Sequence, residues 1–481
     1  LRRPRRPEDY RDFKIVRDYS EKEKDFKPSR GIDLALFFPA SYRVAASSLS
    51  FTWVRDLLYS ENVGVERFFF HKSFSRFYSL ENLRPVDEFR NIAFSYNFEM
   101  DLFNILEILK KIRIPIRWKD RNLNHPLIIV GGAMTYFNPS IAYPIADVVY
   151  LGDLEEDVKR FSGALLKESK EASLEIFNLS PFVSIPRIGK FGTVAKVGNL
   201  NRFPPIGSVL TPEGEFKNKL LIEIGRGCIR RCSFCMIGHL QKPARFLKID
   251  TLKKILSEIP KNISLGIISA TVTDYPWLDE LLDILEDRRF SVSSMRMDKL
   301  NLRLLKMLRN SGQKSFTVAP EGGTQKIRDI LKKDIEDQHI ERALLLGRKS
   351  GFDNLKMYFI YGVPNETEED LKGISEIASL ALKMGYKTVK LSLNPLIPKP
   401  GTPMEKTKME SIKILKKKRD FLQRSLKVKG VKLHFEGLRE SLVQYGIANS
   451  KSDDVEEYLD IFEKFGSREL ERFIYKKFEG K

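Results

Sequence analysis

All three cysteines of the chain, Cys228, Cys232 and Cys235, fall within eight residues of one another. The spacing C-x3-C-x2-C lets one short loop carry three thiolates to a metal group, and thiolates suit both zinc and iron-sulfur clusters. On a four-iron cluster, one iron would keep no protein ligand and would stay open to the amino and carboxylate groups of a small molecule. The alternative is a structural zinc site, with His239, four residues after Cys235, as its fourth ligand. Counting ligands leaves both open. The flanking residues Gly227 and Phe234, and a position at the first strand of a long strand-helix series, weigh toward the cluster. Such tight grouping argues against a disulfide framework and for a reducing, cytoplasmic setting.

The elements around this loop are legible as alternating strands and helices. Strand candidates lie at 219–224, 264–270, 291–297, 315–321, 354–362 and 388–395, with helical patterns at 252–259, 278–288, 302–311 and 368–384. Six such units fall two short of an eightfold barrel, a fold that places its active site at the carboxyl ends of the strands. Upstream, apolar runs at 32–39, 91–96, 127–130 and 148–151 alternate with helical patterns at 49–60 and 101–112. That alternation predicts a Rossmann-like parallel sheet. The expected fold class is α/β: a basic arm (1–30), a Rossmann-like domain (31–165), a Pro- and Gly-punctuated linker (166–215), a partial (β/α)6 barrel (216–430) and a small helical C-terminal extension (431–481).

With 481 residues, 42% hydrophobic and 31% charged, the chain has enough apolar material for two or three cores. Its net charge of +19, from 83 Lys and Arg against 64 Asp and Glu, attracts polyanions and makes nucleic acid an expected partner class. Basic runs such as 416–419 read better as solvated helix faces than as a nucleic-acid surface. No apolar run approaches the roughly 18 residues needed to cross a bilayer, and the opening LRRPRRPEDYRDF has no secretion-signal stretch.

A strand, then C-x3-C-x2-C with an aromatic before the last cysteine, then five more strand-helix units, resembles the radical S-adenosylmethionine (SAM) superfamily over about residues 215–430. The resemblance implies a 4Fe-4S cluster on Cys228, Cys232 and Cys235, with SAM on the open iron. One electron, from a reductant such as flavodoxin or ferredoxin, would split SAM into methionine and a 5'-deoxyadenosyl radical. The implied SAM-contacting positions are Phe234, Ser269, Arg296, Glu321, Ile360 and Gly362. Where many members have Gly-Gly-Glu, this chain departs with Ser269, Ala270 and Thr271.

Four further stretches, IVGGAMTYFNPSIA from Ile129, VVYLGDLEED from Val148, VAPEGGTQKIRDILKK from Val318 and NPLIPKPGTPM from Asn394, resemble one subgroup. Its members carry an N-terminal cobalamin-binding-like domain and have unassigned substrates. This implies ligand-facing loops that include Gly131, Gly132 and Asn138, with cobalamin as a candidate second cofactor and radical methylation as a candidate reaction. The Asp-x-His-x-x-Gly loop that supplies a cobalt ligand elsewhere is absent, and His71 and His125 stand alone. Methylthiotransferases use three more cysteines, which this chain does not have. An RNA-modifying relative and a non-catalytic zinc protein are the competing readings.

Overall fold

The computed structural model describes residues 7–28, 31–293 and 295–479, and they divide into two compact units. The first comprises the described part of Leu1–Gly198 together with Pro205–Leu221 and Ile447–Phe473; the second comprises Asn199–Pro204, Ile222–Gly446 and the described part of Ile474–Lys481. Within the segment expected to be a basic arm, residues 1–6, 29 and 30 lie outside the described residues, and the rest is not an arm. Helix α1 (Pro7–Ser20) starts with Glu8 and Asp9 in its first turn, where acidic side chains favour the helix dipole. Phe13 and Val16 on its inner face are buried.

The first unit is built on a six-stranded sheet. Its strands are β1 (Leu34–Phe38), β2 (Val65–Phe69), β3 (Asn91–Ser95), β4 (Leu127–Gly131), β5 (Val148–Tyr150) and β6 (Val183–Ser184), in the order β2-β1-β3-β4-β5-β6. All pairings are parallel except β5 with β6. Helices α2 (Leu49–Tyr59) and α3 (Asp101–Lys111) follow β1 and β3. Continuous apolar runs such as LALFF suit strands covered on both faces, and every residue of β1 is buried. The sheet extends past residue 165 because β6 pairs with β5, so part of the expected linker belongs to this unit.

Besides the short strand Arg245–Phe246, the second unit carries seven strands, one more than expected: β7 (Lys219–Arg226), β8 (Ser264–Ser269), β9 (Phe290–Val292), β10 (Ser315–Glu321), β11 (Asn354–Tyr361), β12 (Thr388–Pro395) and β13 (Val431–Phe435). Helices α4 (Ile249–Glu258), α5 (Leu278–Ile284), α6 (Leu302–Asn310), α7 (Gln325–Ile330), α8 (Asp337–Lys349), α9 (Glu368–Lys383) and α10 (Ile412–Ser425) intervene. The strands form two four-stranded sheets. One is Arg245–Phe246, β7, β8 and β9; the other is β10, β11, β12 and β13, parallel throughout. The C-terminal extension therefore opens with a strand that completes the second sheet, and helices follow only after it. One of these helices, Ser452–Phe465, falls in the first unit, where Arg117 binds Glu456 at 2.8 Å, Asp460 at 2.6 Å and Glu463 at 2.5 Å.

Alternation fixes the two faces of the second sheet. Phe316, Leu355, Met357, Phe359, Val389, Leu391 and Leu393 are buried on the helix side. There α8 comes so close that a Cβ on Gly347 would lie 2.7 Å from the Phe316 ring. Thr317, Lys356, Tyr358, Ile360, Lys390, Asn394 and Lys432 occupy the opposite face and keep solvent access. The Thr367 and Asp370 capping box starts α9 and fixes the turn after β11.

Candidate active site

The cysteine loop leaves the carboxyl end of β7 through Gly227, whose φ of +80° is left-handed and whose missing Cβ would sit 2.3 Å from the Gln241 carbonyl. Ser233 pins the loop: its N–H donates to Leu331 O and its Oγ to Ile330 O, both at 2.9 Å, at the end of α7. Arg230 braces the outer side, donating to Asp274 at 2.6 and 3.0 Å, while its backbone N–H donates to Cys228 Sγ at 3.4 Å. His239 Nε2 lies 3.0 Å from the Cys232 carbonyl oxygen, so that nitrogen is engaged with the loop backbone.

Burial pushes the Cys232 and Cys235 thiols up, and the nearby charge of Lys333 opposes that shift in both, joined by Arg296 for Cys232. These charges offset part of the burial cost of the thiolate, the form that binds iron. Among the described residues no three His, Cys, Asp or Glu side chains converge as the ligands of one ion would. A cluster takes each thiolate on a different iron and does not require that convergence.

Lys333 escaped the sequence reading. It looks like one of two surface lysines in DILKK, yet it is 8% exposed and donates to Glu321 Oε1 at 3.1 Å. Its neighbours Lys332 and Asp334 both have positive φ, as does Glu321 at the irregular end of β10. Strained backbone of this kind is held only where surrounding contacts enforce it. Arg296 supplies some of them: its Nη2 donates to Lys333 O at 2.6 Å and its Nε to Asp298 at 2.9 Å.

The remaining SAM candidates gather on the same edge. Phe234 and Ile360 both pack against one apolar cluster of Ile327, Leu331, Val363, Leu396 and Met404. Segments far apart in sequence thus make one wall. Ser269 Oγ accepts from Thr271 N–H at 3.4 Å, and Thr271 Oγ1 lies 3.9 Å from Cys228 Sγ. Gly362 N–H donates to Glu366 Oε2 at 2.8 Å.

The candidate loops of the first unit are differently occupied. A Cβ on Gly132, at φ +107°, would lie 2.6 Å from the Tyr96 carbonyl oxygen, so its close approach is to the chain itself. The Gly131 carbonyl accepts from Tyr96 N–H at 2.7 Å. Asn138 Nδ2 donates to the carbonyls of Ala448 and Ser450 at 3.0 and 2.7 Å. His71 contacts Ser73 Oγ at 2.8 Å and His125 accepts from Asn122 N–H at 3.2 Å. Burial raises the carboxyl of Asp101, which accepts from the N–H groups of Asn97 and Phe98, to about 7.

Residues 53–186 match the family described as radical SAM proteins, N-terminal, and residues 222–378 match the radical SAM superfamily. An uncharacterized protein of Methanocaldococcus jannaschii is 30% identical over 444 residues, covering 89% of this chain and 90% of its own. The chain belongs to the radical SAM superfamily. Among solved structures, the radical SAM methyltransferase TsrM of Kitasatospora setae, with cobalamin and a 4Fe-4S cluster bound, shares the fold. The match has a TM-score of 0.50 at 13% identity and covers 77% of this chain and 73% of TsrM. The cobalamin-dependent radical enzyme OxsB matches with a TM-score of 0.47 at 18% identity, over 72% of this chain and 51% of its own. Membership in this superfamily implies an enzyme that uses a 4Fe-4S cluster and SAM. The three-thiol loop with its flanking cations fits the cluster. No helix among the described residues is long and apolar enough to cross a membrane.

Proposed function

We propose that this radical SAM protein cleaves SAM reductively at a 4Fe-4S cluster on Cys228, Cys232 and Cys235 and turns the resulting radical on a substrate. One observation carries the reading. A thiol loop, two cations beside it and an apolar wall containing Phe234 and Ile360 meet at the carboxyl ends of one strand series. A bound cluster would supply the electron that divides SAM into methionine and a 5'-deoxyadenosyl radical.

The chain's own residues orient and protect. Lys333 and Arg296 offset the negative charge of the thiolates. The hydroxyls of Ser269 and Thr271, beside Cys228, suit the methionyl end of SAM. Glu321 offers a carboxylate to the amino or ribose groups, and the wall of Phe234 and Ile360 gives adenine a dry surface. An external one-electron donor of the flavodoxin or ferredoxin type completes the reading. Cobalamin in the first unit would make the reaction a methylation; TsrM, which shares this fold, holds one.

Anaerobic reconstitution tests the proposal. The expected outcome is an iron- and sulfide-containing chain that converts SAM to 5'-deoxyadenosine on reduction. Stoichiometric zinc with no iron-dependent absorption overturns it. Cobalamin retained after reconstitution and desalting supports methylation, and its loss removes that refinement alone.

A further inference from the structure

The second sheet carries a row of like charges that the SAM site does not use. Thr317, Lys356, Lys390 and Lys432 are register partners on the adjacent strands β10, β11, β12 and β13. They lie on the face opposite the helices. Neighbouring strands are about 4.8 Å apart, so three ammonium groups share a band roughly 10 Å wide. Like charges side by side across strands destabilise a sheet. Among the described residues none of the three lysines pairs with a carboxylate; Lys356 donates only to the hydroxyl of Tyr358, over whose ring it also lies.

Lysines on an edge strand can serve simply to block pairing with another chain. That accounts for Lys432 on β13, and it does not account for Lys356 and Lys390, which stand on the two inner strands of the sheet. A second observation comes from the same face. Asn394 is the register partner of Ile360, and its Oδ1 is buried without a hydrogen-bond partner. A buried acceptor left unmet costs free energy that a donor on a ligand would return. Between the two rows lie Tyr358, Ser392 and His434, again register partners. The face therefore runs from an apolar SAM end at Ile360, past an acceptor and a polar row, to a cationic end. Four residues of strand separate the ends by about 13 Å.

We propose that this face binds the enzyme's substrate and that the substrate is an elongated small molecule ending in a phosphate-type anion. The lysine row holds the anion, Asn394 accepts a hydrogen bond nearer the reacting carbon, and the carbon is presented at the Ile360 end. The assignment of this anion site as a substrate site rests on the radical reaction proposed above.

The test measures binding of inorganic pyrophosphate, and separately of a single-stranded RNA oligonucleotide, to the full chain by calorimetry. Lys390→Gln with Lys432→Gln should weaken pyrophosphate binding at least thirtyfold, from roughly tenfold per charge-assisted contact. Lys390→Arg with Lys432→Arg should restore most of it. Both positions are exposed, so these variants should fold; a circular dichroism melt checks this. Equal pyrophosphate affinity in the Gln variant and the unsubstituted chain overturns the proposal. So does lysine-dependent binding of RNA without binding of pyrophosphate. Cluster content and SAM cleavage of the unsubstituted chain are measured in parallel. A chain that binds pyrophosphate through its lysines but forms no cluster sinks the radical reading and leaves the anion site standing. The reverse result does the opposite.

Discussion

The cysteine loop and the Gly131–Asn138 loop both lie at the carboxyl edge of a strand series and both resemble family cofactor sites, yet their polar groups are spent differently. Around the cysteines, burial raises two thiols and cations are set beside them. In the first unit, Gly132 is filled by the Tyr96 backbone and Asn138 donates to two carbonyls of its own chain. Glycines and amides near a strand end therefore read alike in sequence whether they serve a ligand or the fold. Clustered thiols do not share that ambiguity, because buried thiols without a cluster gain little from being three together.

Four experiments break or sharpen this comparison. The largest effect is expected at the thiols: Ala at Cys228, Cys232 or Cys235 should remove iron-dependent absorption and all 5'-deoxyadenosine formation. Survival of either in any single variant would mean that the loop is not the ligand set.

Asp101 gives the next largest effect, and it concerns stability in the first unit. Its carboxyl is raised from an ordinary 3.8 to about 7 by burial. Below the ordinary value both folded and unfolded chains hold the proton, and the group contributes its full stability. Between there and about 7 only the unfolded chain ionises, so stability falls as pH rises, by about 4 kcal/mol at most. Asp101→Asn keeps an acceptor for the Asn97 and Phe98 N–H groups and should remove that decline. Chemical melts at pH 4.5 and pH 8 check it; a variant with the same pH dependence as the parent assigns the titration elsewhere.

Lys333 sharpens the other side. Lys333→Met leaves the Glu321 carboxylate without its ammonium in a nearly buried place and should cost on the order of 2 kcal/mol. Adding Glu321→Gln should recover most of the stability in a double-mutant cycle but not SAM binding, because Glu321 is read as a SAM contact. Additive stability losses would show that the pair is not coupled. The smallest effect is expected at His71 and His125, both engaged locally. Replacing both with Gln should leave the absorption of any bound cobalamin unchanged, whereas a spectral shift would identify a cobalt ligand.

Two of the strands hidden from sequence were hidden for different reasons. VERFF at 65–69 has charged residues where a buried strand should be apolar. The fold buries them by pairing: Arg67 donates to Glu81 and Glu23, each at 2.5 Å, while Glu66 accepts from Asn82 at 2.6 Å and from Ser79. VKLHF at 431–435 has the two-residue alternation of a strand, but its placement beside β12 depends on the sheet having an edge to extend.

By itself the sequence determined the three-thiol loop, the alternation of strands and helices, and the strand ends where chemistry would sit. Each of these is encoded locally, in a spacing of a few residues or a periodicity of two or 3.6. Only the tertiary structure decided that Lys333 stands beside the thiols, that Phe234 and Ile360 share one wall, and that three lysines line up across strands. Those relations join residues far apart in the chain. Their physical basis is burial and register, which do not exist until the strands have paired.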